Sequence, residues 1–398
     1  MSRGVAITGM GIISAIGNSV EENRLSLLQN QSGIDKIKYL ETVHQSKFLL
    51  GEVKKSTDEL IDFLQLSSEN HFTRTGLLGL YAVKEAIENA AIFDVNEEKT
   101  GLISSTSVGG MDFTEKYFFD YENFPDKQKY IISHEAGDST NLIANEIGLK
   151  GFVTTISTAC SSAANAIMLG ARMIKSGRLD RVIVGGTDAL SKFTLNGFNS
   201  LMILSDELNQ PFDENRKGLN LGEAAAYLVL ESDEMVKKYD KKVLAYLSGY
   251  GNFNDAFHQT ASSETGEGAY LAMKKSLEIS GLSASEIDYV NAHGTATPNN
   301  DASESAALKR IFQDSFFDFS STKPFTGHTL AAAAAVEAVF SILALEEQKV
   351  WANLNFRKAI ETFGLIPQTN IKSKNIDHVL SNSFGFGGNC STLIFSKA

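Results

Sequence analysis

Cysteine, proline and long apolar segments are scarce in this 398-residue chain, and the scarcity of cysteines and of apolar runs excludes whole classes of protein. The two cysteines cannot form a disulfide framework for a chain of this size, so the sequence predicts a reducing, cytoplasmic setting. No apolar run approaches ~18 uninterrupted residues, which argues against a transmembrane helix. The N-terminal "MSRGVAITGMGIISAIG" is short and broken by glycines, and we interpret it as a first buried strand, not as a signal peptide.

Basic residues are fewer than acidic ones in this chain. The chain has 36 Lys and Arg against 48 Asp and Glu, a net charge of −12, and it shows no basic run, zinc-finger spacing or basic helix. Nucleic-acid binding proteins usually present a basic face, so the composition argues against that class. A partner that is itself acidic would need a local basic patch.

Apolar residues make up 43% of the chain, enough for a sizeable core. Short apolar segments alternate with longer helical ones. Segments predicted as strands are "VAITGM", "TGLISST", "FVTTIS", "DRVIVGG", "AYLVLE", "VLAYLSGYG", "IDYVNAHG", "FDFSSTK", "HVLSNSFG" and "STLIFS". Helices are predicted for "RTGLLGLYAVKEAIENA" and for the alanine-rich stretch after Cys160. Continuous apolar strands between helices indicate an α/β fold with buried sheets.

A weak internal repeat divides the chain into two halves, residues 1–240 and 241–398. In the first half a strand ends in "STACSS" and an alanine-rich helix begins. In the second half "SSTKPFTGHTLAAAAAVEAVFSILAL" repeats that arrangement, with His328 at the predicted helix start. Such self-similarity is typical of duplicated folds.

Cys160 lies in "TISTACSSAANAIMLGARMI", where a strand is predicted to turn into a helix. A thiol near a helix N-terminus experiences the positive end of the helix dipole, which would lower its pKa and favour the nucleophilic thiolate. A buried structural cysteine is an equally good interpretation of this local sequence. For Cys390, in "GGNCSTLIF", the structural interpretation is the better one. Neither cysteine has the spacing of a metal ligand, so no metal site is predicted.

Two of the seven histidines stand at predicted strand ends beside glycine and threonine: His293 in "NAHGTATP" and His328 in "TKPFTGHTL". A lone histidine in such a turn is more often structural, but two of them together with Cys160 favour a nucleophile with imidazole partners. The glycine-rich "SNSFGFGGNCS" lacks the Lys-Ser/Thr of a phosphate loop, and its glycines could let backbone N–H groups approach a reacting carbonyl.

The motifs "TACSS", "NAHGTATPNND", "STKPFTGHTLAAAAAVEAV" and "SNSFGFGGN" resemble, in order and spacing, those of the β-ketoacyl-acyl-carrier-protein synthases. The resemblance is to the elongating Cys-His-His type within the thiolase superfamily, and it covers essentially the whole chain. It implies a five-layer α-β-α-β-α sandwich of two duplicated halves and a homodimer, with a heterodimer containing a chain-length-factor subunit as an alternative. The implied reaction is the decarboxylative condensation of an acyl group with malonyl-acyl carrier protein, in fatty-acid or related polyketide or polyene synthesis.

The resemblance also implies roles for individual residues. Cys160 resembles the nucleophile that takes the acyl chain, and the N–H groups of Cys160 and Phe386 resemble the oxyanion hole. His293 and His328 resemble the pair that promotes decarboxylation, supported by Lys323.

Four further positions complete the comparison with the family. Glu337 resembles the second support near His328, and Thr295 and Thr297 would contact the phosphopantetheine arm of the carrier protein. Val108 stands where the family has a residue that limits the acyl pocket. Acyl carrier protein is the implied partner, and no cofactor is implied beyond the carrier's own phosphopantetheine.

Three departures from the family pattern bear on these expectations. The helix after the "GH" motif reads "AAAAA" where glycines are usual, and Asn389 and Cys390 stand where many relatives have Thr-Asn. Asp206 and Glu207 follow "SLMILS", where many elongating relatives carry a basic residue that helps to dock the carrier. The carrier, the acyl chain length and the choice between housekeeping and specialised synthesis are left open by the sequence.

Rival interpretations fit less well. A thiolase would need a second catalytic cysteine in a Cys-x-Gly-Gly ending, and Cys390 follows the glycine pair instead. Cys-His-Asn synthases lack a histidine at the position of His328. A non-catalytic chain-length-factor subunit normally lacks the nucleophile, and Cys160 is present.

Overall fold

The computed structural model describes residues 4–67, 69–119, 121–313 and 315–398. Its strands are β1 (Val5–Ile13), β2 (Asp35–Lys36), β3 (Leu49–Leu50), β4 (Thr100–Ser105), β5 (Phe152–Ile156), β6 (Arg181–Asp188), β7 (Ala224–Ser232), β8 (Ala245–Asn254), β9 (Tyr289–Asn291), β10 (Asp318–Ser320), β11 (Lys349–Val350), β12 (Lys372–Ser373), β13 (His378–Gly385) and β14 (Asn389–Ser396).

Its α-helices are α1 (Val20–Leu28), α2 (Thr57–Leu64), α3 (Arg74–Asn89), α4 (Met111–Tyr117), α5 (Ala136–Glu146), α6 (Ser162–Lys175), α7 (Lys192–Ser200), α8 (Asp233–Tyr239), α9 (Glu267–Ser280), α10 (Pro298–Phe312), α11 (Lys323–Thr326) and α12 (Ala333–Glu347). Short 3₁₀ segments lie at Pro125–His134, Ala284–Glu286, Leu330–Ala332 and Phe386–Gly388. Within the described ranges, no helix is both long and apolar enough to cross a membrane.

The same order of strand pairings occurs two times in the main sheet. Its order is β10-β9-β13-β14-β8-β1-β7-β6-β4-β5. From β1 outward, the first two pairings (β1 with β7, β7 with β6) are antiparallel and the next two (β6 with β4, β4 with β5) are parallel. From β8 outward the order is the same: β8 with β14 and β14 with β13 are antiparallel, and β13 with β9 and β9 with β10 are parallel. The two five-stranded halves join where β1 pairs with β8 over two residues.

Helices cover and separate these halves in five layers. Helices α3 and α5 pack on the outer face of the first half, and α9, with α10 against it, covers the second. Helices α6 and α12 lie between the two halves in the largest apolar cluster. Helix α12 is buried from Ala333 to Leu345, which explains why all its side chains in this stretch except Glu337 and Ser341 are apolar.

The five-layer fold implied by the resemblance is confirmed, and each of the ten segments predicted as strands overlaps one strand of the main sheet. The small pairs β2–β3 and β11–β12 were not predicted. Helix α12 begins at Ala333, five residues after His328, because the short 3₁₀ segment Leu330–Ala332 intervenes. The boundary between residues 240 and 241 stays a prediction.

Candidate active site

Cys160 lies in a tight turn between β5 and α6. The turn requires a left-handed backbone at Ala159, where φ is 52°, and Ser161 then serves as the N-cap residue of α6. Gly385, the last residue of β13, packs directly against this turn. A Cβ at position 385 would lie 2.7 Å from the Thr158 carbonyl oxygen and 3.2 Å from the Cys160 nitrogen. Glycine therefore allows the "GFGG" segment to lie beside the backbone of the nucleophile.

An amide and hydroxyl network lies next to the Cys160 turn. The side-chain oxygen of Asn389 accepts hydrogen bonds from Ser161 Oγ at 2.7 Å, Asn165 Nδ2 at 2.9 Å and Asn252 Nδ2 at 2.8 Å. These bonds join the start of α6 to strands β8 and β14. The nucleophile turn is thus fixed to the second half of the molecule by neutral groups.

The Cys160 thiol is buried, with 7% of the residue exposed. Burial raises the pKa of Cys160 to about 12, although the Lys323 ammonium acts to lower it. The expectation that a helix start would lower this pKa was wrong, because the loss of hydration that disfavours the thiolate outweighs favourable local charge. The raised pKa favours the thiol form of Cys160 at neutral pH.

His328 follows Gly327 in a turn that controls its tautomer. The Leu330 N–H donates to His328 Nδ1 at 3.1 Å, so the proton of the neutral ring lies on Nε2. Leu330 adopts a left-handed φ of 52° in making this contact. Burial, followed by the nearby Lys323 ammonium, lowers the pKa of His328 well below its ordinary value. The ring is therefore a neutral Nε2–H donor.

His293 follows β9 and is held by a buried ion pair. The Lys323 ammonium bonds Glu337 and the His293 carbonyl, and its Nζ lies 3.2 Å from His293 Nδ1. An ammonium has only donors, so Nδ1 accepts and the ring proton lies on Nε2. Burial, then Lys323 and His328, lowers the pKa of His293 well below its ordinary value. The two rings meet edge to face with centroids 5.5 Å apart.

Glu304, on α10, supports the backbone of His293. Its carboxylate accepts the N–H groups of His293 at 2.9 Å and Gly294 at 2.8 Å, and Asn382 Nδ2 at 3.1 Å. Burial raises the pKa of Glu304 to about 7, against the lowering effect of these bonds.

Cys160, His293 and His328 line one cavity of about 310 Å³. Its remaining lining residues are Phe198, Met202, Ile203, Leu219, Thr260, Ala261, Ser262, Thr295, Thr297, Pro298, Asn299, Asn300, Phe384, Gly385, Phe386 and Gly388. The hydroxyls of Thr295 and Thr297 are 2.9 Å apart. Phe386 stacks on Phe198 with ring centroids 5.9 Å apart. The cavity thus contains one nucleophile and two imidazole donors, and an aromatic pair lies in its wall.

Three residues were predicted from the sequence to bind substrate: Thr295, Thr297 and Val108. Of these, only Val108 does not line this cavity. It is half-buried in the loop between β4 and α4, and its role in an acyl pocket stays a prediction. Lys323 and Glu337 do not line the cavity. Lys323 pairs with Glu337 and donates to the His293 carbonyl, and these contacts hold His293 in place. Among the described residues, no cluster of His, Cys, Asp and Glu could hold a metal ion.

Sequence reasoning missed two buried acids beside the site: Glu304, and Asp188, whose carboxylate accepts the Ala331 N–H at 2.8 Å. It noted Asn389 only as a departure from the family. Glu304 lies in the polar-looking "PNNDASESAAL", whose buried acid resembles a surface one in sequence. Asp188 ends the buried strand "RVIVGGTD", and an acid at the end of a predicted buried strand is the signal that could have identified it.

Comparison with known proteins gives two family-model matches that together span most of the chain. The model described as "Beta-ketoacyl synthase, N-terminal domain" matches residues 2–235, and "Beta-ketoacyl synthase, C-terminal domain" matches residues 244–357. The chain is 34% identical to 3-oxoacyl-[acyl-carrier-protein] synthase 2 of Vibrio cholerae, covering 99% of both. It is 32% identical to the protein of the same name from Staphylococcus aureus, covering 99% of this chain and 98% of the relative.

Solved structures agree with these matches. The ishigamide ketosynthase/chain length factor superposes with a TM-score of 0.94 at 28% identity, covering all of both chains. A second match is a chain from a structure titled as a type II PKS acyl-carrier protein in complex with its ketosynthase bound to the hexaketide. It superposes with a TM-score of 0.89 at 26% identity, again covering all of both chains.

Proposed function

Since this chain belongs to the β-ketoacyl synthase family, we propose that its cavity condenses a Cys160-bound acyl group with a malonyl group carried by acyl carrier protein. The product is a β-ketoacyl thioester, made in fatty-acid or polyketide synthesis. One observation carries the assignment of roles: Cys160 shares its cavity with two neutral imidazoles whose Nδ1 atoms both accept hydrogen bonds.

Acyl transfer is the step assigned to Cys160. The sulfur attacks the carbonyl of the incoming thioester, the new C–S bond forms, and the old one breaks to release the carrier's thiol with the proton that Cys160 loses. The N–H groups of Cys160 and Phe386 are the proposed donors to the transient oxyanion. Holding the acyl group on the enzyme divides one difficult reaction into two easier ones.

Decarboxylation is the step assigned to His293 and His328. When the C–C bond to the malonyl carboxylate breaks, CO₂ leaves and the electron pair forms an enolate on the thioester. Two Nε2–H groups directed at the enolate oxygen would stabilise this charge without a change in their own protonation. The enolate carbon then attacks the acyl-Cys160 carbonyl, the C–S bond breaks, and the thiolate sulfur takes up a proton from solvent.

Delivery of both substrates by acyl carrier protein, and a homodimeric assembly, are part of the proposal. The similarity to a structure titled as a ketosynthase/chain length factor makes a heterodimer the alternative. Glu207 follows the segment after which many elongating relatives carry a basic docking residue. It forms an exposed ion pair with Lys217 at 2.6 Å, which supports a carrier contact with little net positive charge. Thr295 and Thr297 are the proposed contacts of the phosphopantetheine arm, and no other cofactor is proposed.

The compartment and the acyl-length determinant are also proposals. A cytoplasmic location rests on the two free cysteines. Val108 is proposed to limit the acyl chain, so Val108→Phe should shorten the accepted acyl groups.

A reconstituted condensation assay tests the proposed function. The purified chain, given acyl- and malonyl-acyl carrier protein, should form β-ketoacyl carrier protein, and mass spectrometry should find the acyl group on Cys160. Cys160→Ala should form neither, and Cys390→Ala should form both. Absence of product with active carrier proteins, or an acyl group on another residue, would favour a non-catalytic partner subunit.

A further inference from the structure

Asp188 is a fully buried carboxylate at the end of β6 that accepts hydrogen bonds from two separate segments. From the loop after β4 it accepts the Thr106 hydroxyl, the Ser107 hydroxyl and the Ser107 N–H at 3.1 Å. From the turn after His328 it accepts the Ala331 N–H at 2.8 Å.

The hydrogen bond from Ala331 to Asp188 holds the residue next to Leu330, and Leu330 sets the His328 tautomer. Ala331 directly follows Leu330, whose N–H donates to His328 Nδ1. Leu330 holds a left-handed φ of 52°, a conformation that strains a residue other than glycine. A strained residue keeps such a conformation only where its neighbours hold it. On the far side, the His328 N–H donates to the Asn220 carbonyl at 2.8 Å, so the turn is held at both ends.

The same carboxylate fixes the loop that contains Val108. Ser107 precedes Val108, and Thr106 Oγ1 also accepts the Gly109 N–H at 3.0 Å. Asp188 therefore joins the His328 turn to the loop after β4 through one side chain. An ionised carboxylate has only acceptors and suits this set of donors, whereas an amide would place two N–H donors among them.

We propose that Asp188 is a positioning residue for decarboxylation: it holds the Leu330–Ala331 turn so that His328 keeps its Nε2–H tautomer and faces the substrate, while fixing the loop at Val108. This inference rests on the proposed role of His328. It predicts that Asp188 affects CO₂ release more than acylation of Cys160, although Asp188 does not line the cavity.

The test measures two rates and one spectrum on Asp188→Asn. CO₂ release from malonyl carrier protein should fall about tenfold, less than the ~10²-fold expected for loss of an oxyanion donor, with acylation of Cys160 changed far less. In ¹⁵N-histidine spectra, assigned with His328→Ala, wild-type His328 should show an unprotonated Nδ1, and Asp188→Asn should mix the two tautomers. A single Nε2–H tautomer together with unchanged CO₂ release would overturn the proposal.

Asp213→Asn is the matched control. Asp213 is another fully buried carboxylate, and it accepts the Arg357 N–H at 2.6 Å and the Lys358 N–H at 2.8 Å, in a different loop. It should lose thermal stability without the His328 tautomer change.

Asp188→Glu provides the answer if Asp188→Asn does not fold. It keeps the charge but moves the carboxylate by one methylene, so a positioning role predicts slower CO₂ release and a purely long-range electrostatic role predicts the wild-type rate. Failure of the proposed function would look different, because His328→Ala itself would then release CO₂ normally.

Discussion

On the Cys160 side of the cavity the supporting groups described above are amides and hydroxyls, whereas on the histidine side they are buried lysine and glutamate side chains. Asn389 joins Ser161, Asn165 and Asn252 next to the nucleophile turn. Behind the rings, Lys323 pairs with Glu337, and the Glu304 carboxylate accepts the His293 N–H.

The difference follows from what each side does in the reaction. Cys160 changes from thiol to thioester and back, so neutral supports hold its position without committing it to one charge state. His293 and His328 must stay neutral and keep one tautomer while a negative charge develops in front of them. Buried ionic groups suit this task, because their strong bonds fix the acceptors and donors around each ring. The two sides should therefore fail in different ways when they are altered.

The largest effect should come from removing a charge on the histidine side. Lys323→Met leaves Glu337 buried without its partner, so we expect a loss of about 3–5 kcal/mol in the free energy of unfolding. CO₂ release should fall by ~10²-fold, because His293 Nδ1 loses its donor. Denaturant unfolding and labelled CO₂ release measure the two effects. Lys275→Met, which breaks the exposed pair with Glu278, is the control and should change stability by less than about 1 kcal/mol.

A second prediction concerns the charge state of Cys160. Because burial raises its pKa to about 12, the thiolate fraction should grow about tenfold per pH unit up to at least pH 9, with no plateau. Alkylation by iodoacetamide, followed by peptide mass spectrometry at Cys160, measures this slope, and Cys160→Ala corrects for labelling of Cys390. A plateau near neutral pH would mean that the helix start lowers the pKa after all.

The smallest effect should come from the amide network. Asn389→Ala leaves Ser161, Asn165 and Asn252 each without one acceptor, and misplacing the nucleophile turn should slow acylation of Cys160 about tenfold. CO₂ release should change much less, because the rings are held from the other side. Asn96→Ala removes a surface amide that bonds the Gly148 carbonyl, and both rates should stay at wild-type values. Equal loss of both rates in Asn389→Ala would remove the distinction between the two sides.

Local sequence patterns were enough to predict the strands of the main sheet, because apolar runs between helices identify buried strands wherever they pair. They also singled out Cys160, His293 and His328, which the fold brings to one cavity. Lys323 and Glu337 were expected as supports only from the family resemblance, and the supporting roles of Asn389 and Asp188 were not predicted. The contact of Asn389 with Ser161 spans 228 positions, and that of Asp188 with Ala331 spans 143.

The pKa of Cys160 shows a second limit of sequence reasoning. A helix start is a local feature and is visible in the sequence, but the burial that raises this pKa comes from segments such as Gly385 that are distant in the chain.

The division of the reaction between the two sides of the cavity can be measured with two variants. One assay follows labelled CO₂ release from malonyl carrier protein by Cys160→Ala, and the other follows labelled acyl transfer to Cys160 in His328→Ala. We expect that Cys160→Ala cannot be acylated yet still releases CO₂. His328→Ala should still accept an acyl group, while its CO₂ release falls by ~10²-fold. If His328→Ala releases CO₂ at the wild-type rate, or if Cys160→Ala becomes acylated, the division of the reaction between the two sides of the cavity is wrong.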